Sequence, residues 1–321
     1  MRVAVLAGGR SSEHDISLAS AESVSAGLRD GGHEPVSVEI ARDGSWSHAG
    51  EPVSVEPARG VLGADVVFPV LHGPFGEDGT VQGLLEIADV PYIGADVLAS
   101  AACMDKVVFK RLMARAGLPQ VDHVALRDGD PEDAAAALGT PVFVKPSRLG
   151  SSVGISKVSE AVELGPALAY AFEHDPQVLV EAMSSGLEIE CSVIGNGEPV
   201  VSEPGRIEAH ADWYDFEAKY EPGGMELVVP VDVPDEARER VRSLAAEVFL
   251  AVGCEGLARV DFFLDDERGV LVNELNTMPG FTTTSVFAKL FEASGVGYSE
   301  LIDRLLSYAV ERYEAGRRYR F

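Results

Sequence analysis

Leu257-Ala258-Arg259-Val260-Asp261-Phe262-Phe263-Leu264, then Asp265-Asp266-Glu267-Arg268-Gly269, then Val270-Leu271-Val272-Asn273-Glu274-Leu275-Asn276, is the stretch whose reading decides the fold. Two apolar-rich runs flank five turn-forming residues, the pattern of a β-hairpin. Side chains at i and i+2 of a strand share a face. Arg259 and Asp261 therefore point one way on the first strand, and Glu274 and Asn276 on the second. The turn sets Asp261 roughly opposite Glu274. Val260, Phe262 and Leu275 fall on the other, buried side. Three oxygen-bearing side chains and one guanidinium converge on one patch. Hard oxygen donors in such a cluster suit Mg²⁺, which keeps some waters and binds substrate phosphates. An exposed polar sheet face is the plainer reading of the hairpin taken alone.

Working outward, Asn276-Thr277-Met278-Pro279-Gly280-Phe281-Thr282-Thr283-Thr284-Ser285 precedes a helical pattern. Backbone N–H groups at a helix start can hold an anion, and a cap explains one hydroxyl, at Thr284 or Ser285. Upstream, Ala237, Val241, Leu244, Ala245, Val248 and Phe249 recur at helical spacing and predict a strong amphipathic helix. Before it lies a long irregular stretch, about 205–226, of a length that inside a compact domain serves function or disorder. Glu188–Ile194 alternates as a strand. Glu181 and Glu188 flank Met183-Ser184-Ser185-Gly186 at a strand-to-strand crossing that could grip an adenosine.

The loop Ser147-Arg148-Leu149-Gly150-Ser151-Ser152-Val153-Gly154 joins two strands, and its small residues let backbone approach a phosphate closely. It has no P-loop lysine of its own, but Lys145 ends the preceding strand. Lys106 opens a helix read over Met104–Ala116, which stops at Gly117-Leu118-Pro119.

The N-terminal part alternates short apolar strands (Val3–Ala7, Val36–Ile40, Asp65–Leu71) with helices (Ile16–Leu28, Thr80–Ala88) and reads as an open parallel sheet with ligand loops at its strand ends. Gly8-Gly9-Arg10-Ser11-Ser12-Glu13 and His72-Gly73-Pro74-Phe75-Gly76-Glu77-Asp78-Gly79 are such loops. Neither has the GxGxxG spacing of a dinucleotide fold, which disfavours a dehydrogenase.

The chain has 321 residues, enough for two or three domains, and is 46% hydrophobic. With 26 Lys plus Arg against 52 Asp plus Glu, its formal charge is −26. Such an exterior repels nucleic acid and anionic membranes. Three scattered cysteines show no metal spacing and fit a reducing cytoplasm. The short apolar run at the N-terminus reads as a strand rather than a signal peptide, and no apolar stretch is long enough to span a membrane.

Taken in order, these blocks closely resemble the D-alanine–D-alanine ligase family of the ATP-grasp superfamily. Trp213-Tyr214-Asp215-Phe216-Glu217-Ala218-Lys219-Tyr220 joins them, and the resemblance spans almost the whole chain. It implies an α/β fold, α+β in parts: an ATP-grasp of three domains (1–103, 104–183 and 184–321) with ATP between the central and C-terminal ones. It implies that ATP is held by Lys106, Lys145, Ser151, Ser152, Glu181, Glu188, Lys219 and Asn276, with Met183 at the adenine. Two Mg²⁺, replaceable by Mn²⁺, would sit on Asp261, Glu274 and Asn276, and the family leaves room for a monovalent cation. Glu13 would hold the first D-alanine's ammonium, with His72 near that substrate. Ser285 and Val286 would receive the second substrate, beside Lys219 and Tyr220. Ser151 and Tyr220 would meet across the closed site. Arg259 and the Gly280 N–H would stabilise the tetrahedral oxyanion. The implied product is D-alanyl-D-alanine for peptidoglycan, made in the cytoplasm by a homodimer. Glu217-Ala218-Lys219-Tyr220 resembles the dipeptide-forming group, since relatives that make D-alanyl-D-lactate carry histidine in place of the tyrosine. Phe287-Ala288 departs from the family, where proline often stands second. A ligase with another second substrate, a resistance paralogue among them, and a silent nucleotide-binding protein stay open at this point.

Overall fold

A computed structural model describes residues 1–209 and 225–319. Strand β1 (Arg2–Gly8) leads into α1 (His14–Asp30), followed by β2 (Glu34–Ile40), β3 (Trp46–His48), β4 (Glu51–Pro52) and β5 (Val66–Pro69). These five strands form one sheet in the order β4-β3-β2-β1-β5. The β1 pairings with β2 and β5 are parallel, as the sequence predicts, but β3 and β4 add an antiparallel edge. Those two strands are too short to show an alternation of their own.

Helix α2 (Thr80–Ala88) falls where its pattern places it. The helix expected over Met104–Ala116 is α4 (Lys106–Ala116), starting two residues later, while α3 (Val97–Met104) ahead of it escapes the sequence reading. Asp105 divides them. Its backbone is extended, and its carboxylate accepts the Val108 N–H at 3.0 Å as the N-cap of α4. Gly117 closes α4 in the left-handed conformation at φ 73°, as the glycine signal predicts.

The second sheet is antiparallel, in the order β6 (His123–Arg127), β9 (Gln177–Ala182), β7 (Val142–Pro146), β8 (Ser156–Val158). Short α5 (Asp133–Ala136) and α6 (Leu164–Phe172) accompany it, and both escape the sequence reading. In α6 the first turn is Leu-Gly-Pro, which masks a helical start.

The third sheet comprises β10 (Leu187–Gly195), β11 (Val200–Val201), β12 (Gly205–Ala209), β13 (Met225–Val228), β14 (Gly256–Asp265) and β15 (Gly269–Asn276). The ends of the stretch read as irregular are thus strands, with Arg206 paired to Val228 and Glu208 to Glu226. The intervening part lies outside the described residues. Helix α7 (Asp235–Ala251) buries Val241, Leu244, Ala245, Val248 and Phe249, the stripe its periodicity predicts. They share a core with Ile189, Cys191, Val193, Val260, Phe262 and Leu275 from one face of this sheet. Each fully buried aliphatic or aromatic side chain of that kind contributes about 1.5–3 kcal/mol. The opposite face is left for polar side chains.

Helices α8 (Val286–Ala293) and α9 (Tyr298–Gly316) pack Phe287, Phe291, Leu301, Ile302, Leu305 and Leu306 against Val3, Val5, Val24 and Leu28 of the first sheet and α1. Phe281 meets Phe68 edge-on with ring centroids 5.2 Å apart. The first and third sheets therefore share a core, which brings loops of the first to the polar face of the third.

Candidate active site

The β14–β15 register pairs Asp261 with Glu274 and Arg259 with Asn276, with a bulge after Asp261. On the other side, β10 pairs Glu190 with Asp261 and Ser192 with Arg259. Glu190, Asp261 and Glu274 consequently form a row of carboxylates across three strands. Arg259 lies among them. Its Nε and Nη2 each donate to Asp261 at 2.7 Å, a bidentate pair, and its Nε lies 2.9 Å from Glu190 Oε2. Burial opposes the charge on Arg259, but Asp261 and Glu190 outweigh it and hold the pKa well above its ordinary value. Asn276 Nδ2 donates to Asp261 Oδ2 at 3.0 Å.

This face lines a cavity of about 650 Å³, bounded also by the loop of 149–152, Lys106, Lys145 and Glu188, and by Glu13, His72 and Glu77 from the first sheet's loops. The volume lies in the range of small-molecule sites. The small-residue loop is anchored at both levels. Arg148 binds Asp175 through Nε at 2.9 Å and Nη2 at 2.7 Å, and Ser147 Oγ donates to Asp105 at 2.7 Å. Lys106 Nζ donates to the Leu149 carbonyl at 2.6 Å. At the tip, Ser151 Oγ donates to Glu13, and Ser151 and Ser152 adopt positive φ of 50° and 60°. Left-handed backbone at non-glycine residues clusters at functional sites.

Glu13 enters from the start of α1. Gly73 makes room for it, since a Cβ at that position would lie 2.7 Å from Glu13 Oε2. His72 Nδ1 lies 2.9 Å from the Met278 carbonyl, an acceptor, so Nδ1 carries the proton and Nε2 offers a lone pair. Burial lowers the His72 pKa against the opposing pull of Glu13, which favours that neutral imidazole. Glu77 accepts the Gly73 N–H at 2.8 Å and the Met278 N–H at 3.1 Å. Burial, reinforced by Glu13, pushes its carboxyl up from 4.5 to about 8. A raised carboxyl stabilises the fold fully below its ordinary pKa, and that contribution is lost as pH rises through about 8. Glu77→Gln should therefore gain on the wild type by about 1.4 kcal/mol per pH unit from pH 5 to about 8, roughly 4 kcal/mol in all. Urea unfolding midpoints at the two pH values read this, and an unchanged difference would refute the assignment.

Several residues expected at the site stand elsewhere in it. Glu181 does not line the cavity. It is buried beneath, with Lys110 Nζ 2.7 Å from one oxygen and Lys145 Nζ 2.6 Å from the other. Met183 likewise is not among the lining residues. The hydroxyl of Ser285 does not cap α8. It accepts the Thr282 N–H at 2.9 Å and meets Thr282 Oγ1 at 2.8 Å, while the side chain still lines the cavity with Gly280 and Val286. A Cβ at Gly280 would stand 3.2 Å from Ser285 Oγ. Lys219 and Tyr220 lie outside the described residues. Glu190 and Lys110 escape the sequence reading. The signal for Glu190 is its spacing, two residues from Glu188 on the alternating strand β10. Lys110 sits three residues from both Val107 and Met113, on the buried stripe of α4.

Among the described residues no group of three or more His, Cys, Asp or Glu is arranged to enclose a metal by itself. The donor set on offer is two carboxylates and an amide, the sparse all-oxygen kind that leaves positions for phosphate and water. Among the same residues, no helix is long and apolar enough to cross a membrane.

A carboxylate-lined antiparallel sheet facing a lysine-bearing sheet and a small-residue loop defines an ATP-grasp ligase, an ATP-using enzyme class. Residues 2–61 and 50–95 match the family described as "D-ala D-ala ligase N-terminus", and residues 112–307 match "D-ala D-ala ligase C-terminus". The chain is 46% identical to a D-alanine–D-alanine ligase of Solibacter usitatus, over 100% of this chain and 99% of the relative. It is 46% identical to one of Deinococcus radiodurans, over 97% and 98%. Among solved structures it is similar to the D-alanine-D-alanine ligase of Coxiella burnetii, with a TM-score of 0.90, 34% identity, and 99% and 96% of the two chains covered. It is also similar to the VanG D-Ala:D-Ser ligase of Enterococcus faecalis, with a TM-score of 0.87, 35% identity, and 96% and 99% covered. The chain belongs to the D-alanine–D-alanine ligase family.

Proposed function

We propose that this chain joins two molecules of D-alanine at the expense of ATP, through a D-alanyl phosphate, to give D-alanyl-D-alanine, ADP and phosphate for peptidoglycan precursors in the cytoplasm. The observation that carries the proposal is the closure of the 149–152 loop onto Glu13 over the cavity that Arg259, Asp261 and Glu274 line. A carboxylate is a poor electrophile, and phosphorylation converts it into an acyl donor for an amine. The acyl phosphate must be kept from water, and a loop pinned by Ser151 and Lys106 serves that need.

In this reading Lys106 and Lys145 receive the phosphates, Ser151 and Ser152 support them through the loop, and Glu188 lies toward the nucleoside. Glu181 acts from beneath through Lys145. Glu13 takes the ammonium of the first D-alanine, and the free Nε2 of His72 lies close by. Asp261, Glu274 and Asn276 fit Mg²⁺, as two ions or with Mn²⁺ in their place, which would neutralise charge on the transferring phosphoryl group. Arg259 and the Gly280 N–H face the carbonyl oxygen as it gains charge, and Ser285 and Val286 bound the second substrate. We further assign 1–103, 104–183 and 184–321 as the three domains.

With D-alanine labelled by ¹⁸O in its carboxylate, one label should appear in the released phosphate, since the carboxylate oxygen bridges to phosphorus. Unlabelled phosphate would rule out the acyl phosphate. Offering D-serine or D-lactate beside D-alanine tests the second substrate, and preferential capture of either would move it.

A further inference from the structure

Lys110 has no place in the chemistry described above, yet it is a lysine 2% exposed. It reaches from α4 to two elements at once. Its Nζ lies 2.7 Å from Glu181 Oε1 on β9 and 3.4 Å from the Val272 carbonyl on β15, the strand that carries Glu274 and Asn276. The other Glu181 oxygen lies 2.6 Å from Lys145 Nζ, and Lys145 lines the cavity. Two cations thus share one buried carboxylate.

The charge balance gives this arrangement a purpose. A Glu181–Lys145 pair alone would be neutral, and the cavity would face a lysine whose charge is already cancelled. Lys110 makes the cluster net +1. Its attraction for Glu181 also draws carboxylate charge away from Lys145. In a buried setting of low effective dielectric, one unit of charge a few ångströms from a phosphate acts far more strongly than it would in water.

We propose that Lys110 is a positioning residue for nucleotide phosphate: it offsets Glu181 from behind, so that Glu181 does not neutralise the positive charge Lys145 presents to the cavity, and it ties that lysine's sheet to the strand bearing Glu274. The proposal rests on the reading of Lys145 as a phosphate ligand.

Three variants separate the possibilities, with the KM for MgATP measured beside the inhibition constant of adenosine, which has no phosphate. Lys110→Met leaves a neutral buried pair, so it should fold, as a thermal unfolding midpoint will show. It should raise KM for MgATP by about tenfold or more and leave adenosine inhibition unchanged. Lys110→Met combined with Glu181→Gln restores the net +1 and should recover MgATP to within about threefold of wild type. Equal weakening of MgATP and adenosine in Lys110→Met would overturn the proposal in favour of a structural role. Failure of the double variant to recover would overturn the charge argument. Lys145→Met tests the underlying reading separately. A normal KM for MgATP in that variant would sink the role of Lys145 itself, whereas a raised KM there with a silent Lys110→Met would sink only the proposal for Lys110.

Discussion

Arg259→Ala is expected to lower the turnover of dipeptide formation by about 10²–10³-fold while MgATP binding stays measurable. The guanidinium is held before any substrate arrives, by two hydrogen bonds that it donates to Asp261 and an ion pair with Glu190. A donor fixed in this way needs no reorganisation when an oxyanion forms, and that preorganisation is the source of the effect. The cavity is bounded by Arg259 on the sheet and by Gly280 beyond β15, so both donors reach the same space. Alanine also leaves Glu190 and Asp261 facing each other without their shared cation, so the unfolding temperature should fall as well. Arg259→Lys keeps a charge but loses the fork and should remain strongly impaired. Single-turnover rates with MgATP and D-alanine, set beside MgATP affinity, check the assignment. Turnover near that of the wild type in Arg259→Ala would remove Arg259 from the oxyanion role.

Glu274→Gln is expected to lower kcat/KM by a similar factor, about 10²–10³-fold, and to move the Mg²⁺ titration to higher concentration. Glutamine matches the shape of glutamate and removes one unit of negative charge from the row shared with Asp261 and Glu190. Glu274 is half-buried and its neighbour Leu275 stays in the core, so the variant should fold normally. Activity that falls without any change in Mg²⁺ demand would argue against Glu274 as a metal ligand.

How far the site could be read in advance depends on the distance over which its determinants act. The β14–β15 hairpin is local, and its alternation with a five-residue turn fixes Asp261 opposite Glu274 as found. The α7 stripe is local too, and its five core residues follow from periodicity. The failures lie where long-range pairing decides. Arg206 and Val228 become strand residues only by pairing across the intervening segment, and nothing near either marks them. The break at Asp105 between α3 and α4 is a capping event inside an otherwise helical pattern. Glu181 could be found as an acidic residue at a crossing, but its burial between two lysines depends on α4 packing across β9. The Ser151–Glu13 contact spans 138 residues, so spacing cannot show it, and the family resemblance points Ser151 toward Tyr220 instead.

The central claim is tested most directly by measuring phosphate released from ATP with Mg²⁺ and D-alanine, with the product identified by mass spectrometry. One phosphate for each D-alanyl-D-alanine formed is the predicted result. No phosphate and no dipeptide from a folded, ATP-binding protein would contradict it.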